Sequence, residues 1–186
     1  MHHPVHRAEL ERVLAVIKEH DCRSVIEIGS RHGLTLIALA CAMKFSSRVV
    51  SVDKPGKAWG SPGSEVELEK NVSMLRLEGY DVHLIAGMSQ EAHIIEQAKA
   101  LGPYGLAYID ADHRYDAVKA DWEVYGPMAS IVCFHDIAVD PPEVIKRPDD
   151  DFGVKRLWNE IKGDYRHEEV IHDDPRVMGT GILYRE

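Results

Sequence analysis

Apolar positions along the chain follow two alternating rhythms. Short runs rich in β-branched residues predict buried strands, and longer stretches with apolar residues at i, i+3, i+4 and i+7 predict amphipathic helices. The first helix carries Leu10, Val13, Leu14 and Ile17. SVIEIGS (24–30) reads as a strand, followed by a helix with Leu34, Ile37, Ala38 and Cys41. RVVSVD (48–53) is a second strand, and KPGKAWGSPG (54–63) is a loop dense in glycine and proline. A third helix runs to about Glu78, where Gly79 closes it. DVHLIAG (81–87) is the third strand, and a helix with Ile94, Ala98 and Leu101 stops at Gly102-Pro103.

LAYIDA (106–111) is the fourth strand, and Tyr115, Val118, Trp122 and Tyr125 mark one face of the helix after it. SIVCFHD (130–136) is the fifth. IAVDPPEVIKRPDDD (137–151) is longer than most connections, a length typical of lids and binding segments. A helix with Val154, Leu157, Trp158 and Ile161 precedes YRHEEVIHD (165–173) and RVMGTGILYRE (176–186). These last two strands, with about three residues between them, predict an antiparallel hairpin. Five βα repeats and a hairpin predict an α/β sandwich around a mostly parallel sheet, a single domain over residues 1–186.

In an open α/β sheet, ligands bind beyond the carboxyl ends of the strands. Polar residues collect at those ends: EIGSRHG after strand one, Asp53 after strand two, AGMSQ after strand three, Asp110, Asp112 and His113 after strand four, His135 and Asp136 after strand five. Gly29 and Gly33 sit on a strand-to-helix turn, where backbone N–H groups approach a ligand closely. The loop has G-x-x-x-G preceded by Glu27, not the G-x-G-x-x-G of dinucleotide sites. A carboxylate there suits a ligand with a positive centre. Asp53 is placed to accept hydrogen bonds from ribose hydroxyls. Together these point to an adenosine-containing ligand with a cationic appendage, which S-adenosylmethionine matches.

Charge and cysteine content narrow the classes. A net charge of −9 argues against a phosphate-backbone partner, which needs clustered Lys and Arg. Cys22, Cys41 and Cys133 form no C-x-x-C pair and read as small buried hydrophobes of a reducing compartment. The polar N-terminus, with His2, His3 and His6, is no signal peptide, and no apolar run approaches the roughly 20 residues that span a bilayer. The chain is expected to be cytoplasmic, without a nucleic-acid or membrane partner.

The chain resembles the class I S-adenosylmethionine-dependent methyltransferases over nearly its whole length. VIEIGSRHG is similar to their first motif, VVSVD to their second, and LIAGMSQEA to their third-strand segment. YIDADHRYDAVKADWEVYGPM with IVCFHDI resembles methyltransferase family 24 and the cephalosporin hydroxylase-like O-methyltransferases. FGVKRLWNEI and GTGILYR resemble their closing helix and last strand. The resemblance implies a Rossmann-like sandwich with strand order 3-2-1-4-5-7-6, strand seven antiparallel. It places Glu27, Gly29, Ser30, His32 and Gly33 around the amino-acid end of the cofactor and Asp53 on the ribose. Gly87, Met88 and Ser89 would line the adenine, and Asp110 would also reach the cofactor. The chain departs from its relatives at Met88, where many have Asp, and at Ala111, where Gly is frequent.

Asp110 and Asp136 end neighbouring strands of this fold. Two carboxylates at one point raise each other's pKa or bind a hard cation such as Mg²⁺, which would acidify a reacting hydroxyl; otherwise they bond backbone amides or cofactor. His113 and His135 are general-base candidates, since an unperturbed histidine titrates near neutral pH. Asp112 is either a catalytic group or a cap of the next helix, and Asp116 lies in that helix's first turn. D-P-P-E (140–143) reads as a turn. The expected activity is O-methylation of a small-molecule hydroxyl, on a sugar or secondary metabolite; a homodimer is one assembly open to the chain, and its oligomeric state is left open by the sequence. The alternatives are a nicotinamide-dependent oxidoreductase and a non-catalytic cofactor-binding module.

Overall fold

The computed structural model describes residues 7–54, 64–138, 153–171 and 178–185. Seven strands form one sheet: β1 (Ser24–Ile28), β2 (Arg48–Asp53), β3 (Asp81–Ala86), β4 (Tyr104–Ile109), β5 (Ala129–His135), β6 (Arg166–Val170) and β7 (Thr180–Tyr184), ordered β3-β2-β1-β4-β5-β7-β6. The first five pair in parallel, and β7 runs antiparallel to both β5 and β6. The order and the reversed strand agree with the expectation. The two closing strands are shorter than expected: their pairing ends at Val170 with Thr180.

Strand alternation assigns the two faces. On β4, Leu106 and Tyr108 face a cluster built from α1 (Arg7–Glu19), α2 (Leu34–Ala42) and α3 (Ser64–Leu77). Ala107 and Ile109 face the other cluster, built from α4 (Ala92–Leu101), α5 (Tyr115–Tyr125) and α6 (Val154–Ile161). On β5, Ile131 and Cys133 belong to the first face, Val132 and Phe134 to the second. Central strands buried on both sides explain why their sequences are apolar runs without alternation.

Two helices turn a different face inward than their apolar spacing suggests. On α2 the buried residues are Leu36, Leu39 and Ala40, whereas Leu34 is 71% exposed and Cys41 is exposed as well. A helix that is apolar nearly all round carries no rotational signal, so packing chose the face. On α1 the buried stripe is Glu9, Val13, Val16 and Ile17, with Leu10 and Leu14 at its margin. On α5, Asp121 is buried with Val118 and Tyr125, and Trp122 is half-buried. Among the described residues no helix is long and apolar enough to cross a membrane. The histidine-bearing N-terminus, most of the 54–63 and 137–151 loops, and D-P-P-E lie outside the described residues.

Candidate active site at the carboxyl edge of the sheet

The turn after β1 is shaped first by its own packing. Gly29 has φ +96°, and a Cβ there would lie 2.3 Å from the Asp110 carbonyl oxygen. Only glycine allows the ends of β1 and β4 to come this close. Gly33, at φ +79°, stands at the N-cap of α2, and a Cβ there would meet Leu68 of α3 at 2.9 Å. Packing accounts for both glycines, a reason that motif spacing alone does not reveal. Ser51 donates a hydrogen bond to the Ser30 hydroxyl at 2.7 Å. The Arg31 N–H donates to Asp53 Oδ2 at 2.7 Å, so the acid ending β2 already steadies the β1 turn. Burial pushes the Asp53 carboxyl up, partly offset by that N–H and by His32. His32 leans toward α3, with Nε2 3.6 Å from Glu67, while its carbonyl accepts from Asn71.

Glu27 lies on β1 between Ile26 and Ile28 and is 1% exposed. Its Oε2 has no hydrogen-bond partner. Burial pushes its carboxyl up to about 8, opposed by a bond with Ser30 and reinforced by Asp110 and Asp53. Burial thus favours the neutral acid, and a cationic group arriving beside it would favour the carboxylate.

The turn after β3 is tied down from below. Gly87 donates to the Asp53 carbonyl at 2.9 Å, and Ile94 fills the space a Cβ would need. The Met88 N–H donates to Glu91 at 3.3 Å, and the Met88 side chain is partly exposed. Ser89 offers its carbonyl to the Tyr125 hydroxyl at 2.7 Å. Asp121, buried on α5, accepts from Gln90 Nε2 at 2.8 Å and from Ser89; burial pushes its carboxyl up to about 6. Asp121 is absent from the sequence-derived set, although its register with Val118 and Tyr125 marks an acid at a core position.

The ends of β4 and β5 hold most of the charge. His113 lies between two aspartates: Nε2 is 3.2 Å from Asp110 Oδ1, and Nδ1 is 3.2 Å from Asp136 Oδ2. His135 Nδ1 lies 2.9 Å from Asp136 Oδ1 and 3.4 Å from Asp110 Oδ1. Asp136 is buried, adopts φ 67° and leaves Oδ1 without a hydrogen-bond partner. A non-glycine residue in this left-handed region is strained, and such strain concentrates at functional sites. Asp110, His113 and Asp136 bring one potential ligand atom each within 4.8 Å of one another.

Burial pushes the Asp110 carboxyl up, but His135 and His113 outweigh it and hold the group well below the usual carboxylate range. Burial works against a charged His113 ring, yet Asp110 and Asp136 raise it above its ordinary value. His135 is raised much further, against burial, by Tyr108, Asp110 and Asp136. Burial also lifts the Tyr108 phenol well above its ordinary value. A neutral phenol attracts no imidazolium, so the two aspartates carry the effect. Neither histidine titrates unperturbed, contrary to the sequence argument. Asp112 turns aside: it accepts from the Arg114 N–H at 3.1 Å and pairs with the Arg114 guanidinium, which outweighs burial and lowers its carboxyl. The N-cap of α5 is Arg114, so Asp112 acts two residues before the cap position.

A Rossmann-like α/β sandwich with acids and imidazoles at the carboxyl ends of β1, β2, β4 and β5 is the architecture of a group-transfer enzyme that binds a nucleoside cofactor. The sequence model of a methyltransferase domain, methyltransferase family 24, matches residues 26–137, and the chain belongs to that family. Solved structures share its fold. An O-methyltransferase from Bacillus cereus in complex with SAH is 17% identical, covering 99% of this chain and 84% of that one, with a TM-score of 0.74. An O-methyltransferase from Streptomyces achromogenes involved in tomaymycin synthesis, in complex with SAM, is 16% identical over 99% of this chain and 82% of that one, with a TM-score of 0.68. An SAH-bound methyltransferase from Podospora anserina is 14% identical over 97% of this chain and 79% of that one, with a TM-score of 0.67. No curated protein matches the chain.

Proposed function

We propose that the chain transfers the methyl group of S-adenosylmethionine to a hydroxyl of a small molecule, a sugar or another small metabolite. The observation that carries this reading is the joint placement of Asp110, His113, His135 and Asp136 beside the β1 turn and Glu27. Glu27, with one unpartnered oxygen, faces a cationic centre; Gly29, Ser30, His32 and Gly33 form the turn around it; Asp53 takes the ribose, and Gly87, Met88 and Ser89 the adenine. When bound, S-adenosylmethionine would supply an electrophilic methyl group; its passage to the acceptor oxygen would leave S-adenosylhomocysteine, and the hydroxyl proton would go to a base. The enzyme's share is in-line positioning and proton acceptance.

His113 suits proton acceptance better than His135, because its side chain is 30% exposed against 4%. With its pKa raised by Asp110 and Asp136, His113 accepts a proton only at higher pH than an ordinary histidine, so the rate climbs with pH. Asp110 and Asp136 set two carboxylates beside His113, a donor set that favours a cation. Asp110 and Asp136, with His113 beside them, would hold Mg²⁺, which supplies Lewis acidity to the acceptor oxygen. The acidic surface supports a small-molecule acceptor, and the reading keeps the chain in the cytoplasm, where thiols such as Cys22 and Cys133 stay reduced. Calorimetric titration with S-adenosylhomocysteine and with NAD tests the reading. Binding of the first alone is expected; binding of NAD alone would assign the fold to hydride transfer instead. Chelation that leaves turnover unchanged would remove the cation from the scheme.

A further inference from the structure

The apolar stripe of α1 begins with an acid. Glu9, Val13, Val16 and Ile17 recur at helical spacing, and Glu9 has no exposed surface at all. A carboxylate in a core position costs several kcal/mol unless it is paired. Strand alternation shows what it meets. Ile131 and Cys133 of β5 face the α1 layer, so His135, two residues on, faces it too. Thr180 of β7 pairs directly across from His135. The Thr180 hydroxyl donates to Glu9 Oε2 at 2.8 Å, and His135 Nε2 stands 3.5 Å from the same oxygen. The other ring nitrogen, Nδ1, faces Asp136 and Asp110. The imidazole thus links a carboxylate behind the sheet edge to two carboxylates in the site.

We infer that Glu9 is a positioning residue: from α1 it holds the His135 ring by Nε2, which keeps Nδ1 on Asp110 and Asp136 and fixes the direction of both carboxylates. Packing alone gives no reason for an acid here. Glu9 Oε1 has no partner, and a buried ionic group replaced by an apolar one of similar volume is often neutral or stabilising. Outer partners of this kind are worth about 10–100-fold in activity or metal affinity where they orient a functional group. The functional consequence rests on the methyl-transfer reading, whereas the ring geometry does not.

The test is crystal structures and melting curves of the full chain carrying Glu9→Gln or Glu9→Met, with S-adenosylhomocysteine calorimetry on the wild type. Glutamine keeps an acceptor for Thr180 and removes the charge; methionine removes both. Both variants are expected to melt no more than about 4 °C below the wild type, the shift that ~1 kcal/mol makes in a chain of this size. In both, the His135 ring is expected to turn, widening the 2.9 Å approach of Nδ1 to Asp136 Oδ1 beyond about 3.5 Å. An unmoved ring in the folded variants overturns the inference, and so does failure of both variants to fold, which would make Glu9 purely structural. Absence of S-adenosylhomocysteine binding by the wild type would instead sink the methyl-transfer reading and leave the ring result standing.

Discussion

The two edges of the sheet are made by the same strands and differ in kind. At the amino-terminal edge of β1, β4 and β5 there is an open cavity of about 540 Å³, bordered by His20, Cys22, Ser24, Tyr104 and Ser130, and a second of about 290 Å³ beside it. Polar pairs there include Arg48 with Asp81 at 2.8 Å and with the Leu101 carbonyl, and Ser24 with the Pro103 carbonyl. The carboxyl edge gathers charge: Asp53, Asp110, His113, His135 and Asp136. Among the described residues, every buried carboxylate oxygen without a hydrogen-bond partner, on Glu9, Glu27, Asp121 and Asp136, belongs to that edge. At the other edge the unpartnered buried atoms are Ser47 Oγ and Arg185 Nε. Unsatisfied buried carboxylates are costly and persist where function requires them. The proposed chemistry therefore sits with the unpartnered charge, at the edge opposite the open cavity.

The contrast is tested most severely at Asp110. Asp110→Asn is expected to lower methyl transfer by about 10²–10⁴-fold, the range of a lost acid–base or charge-stabilising group. Circular dichroism should show an intact fold, and an unchanged rate would break the comparison. The next largest effect concerns pH. The folded Glu27 carboxyl is raised to about 8 from an ordinary 4.5, so the unfolded chain gives up this proton first. Stability from this group is complete below about 4.5 and is lost as pH rises toward 8. Glu27→Gln should remove that loss, on the order of a few kcal/mol at ~1.4 kcal/mol per pH unit, seen as a flatter melting temperature between pH 5 and 8. An equally steep decline in the variant would show that Glu27 is not the source.

Gly29→Ala places a Cβ against the Asp110 carbonyl and demands a positive φ of alanine. A loss of about 2–3 kcal/mol in urea unfolding is expected, together with weaker S-adenosylhomocysteine binding, because the end of β4 must move. Binding at wild-type strength would separate the turn from the site. The smallest effect lies at the opposite edge. Arg48→Ala should cost less than about 1 kcal/mol, as exposed ion pairs do, and leave S-adenosylhomocysteine affinity untouched. Impaired affinity would mean that the two edges are coupled.

The strand ends were legible because period and position suffice for them. A β-branched run that stops at Asp53, Asp110 or Asp136 places an acid at the carboxyl edge whatever packs above it. Helix faces were less legible. α2 is apolar nearly all round, so its periodicity is silent about which side turns inward. The partners of each titratable group were not legible at all. Nothing in D-A-D-H says that His113 lies between Asp110 and Asp136 while Asp112 turns to Arg114, since that depends on two neighbouring strands and the left-handed turn at Asp136.

The sequence by itself determined the order of elements, the family-like motifs and the set of acids and histidines that reach the working edge, because these follow from local periodicity and from where strands stop. Only the tertiary structure decided which groups meet. It set Glu9 of α1 behind His135 of β5, placed Thr180 of β7 across from the same ring, and shifted the pKa values of Glu27, Asp110, His113 and His135. Contacts between residues far apart in the chain, and the burial that magnifies their electrostatics, exist only once the sheet has closed and the helices have covered it.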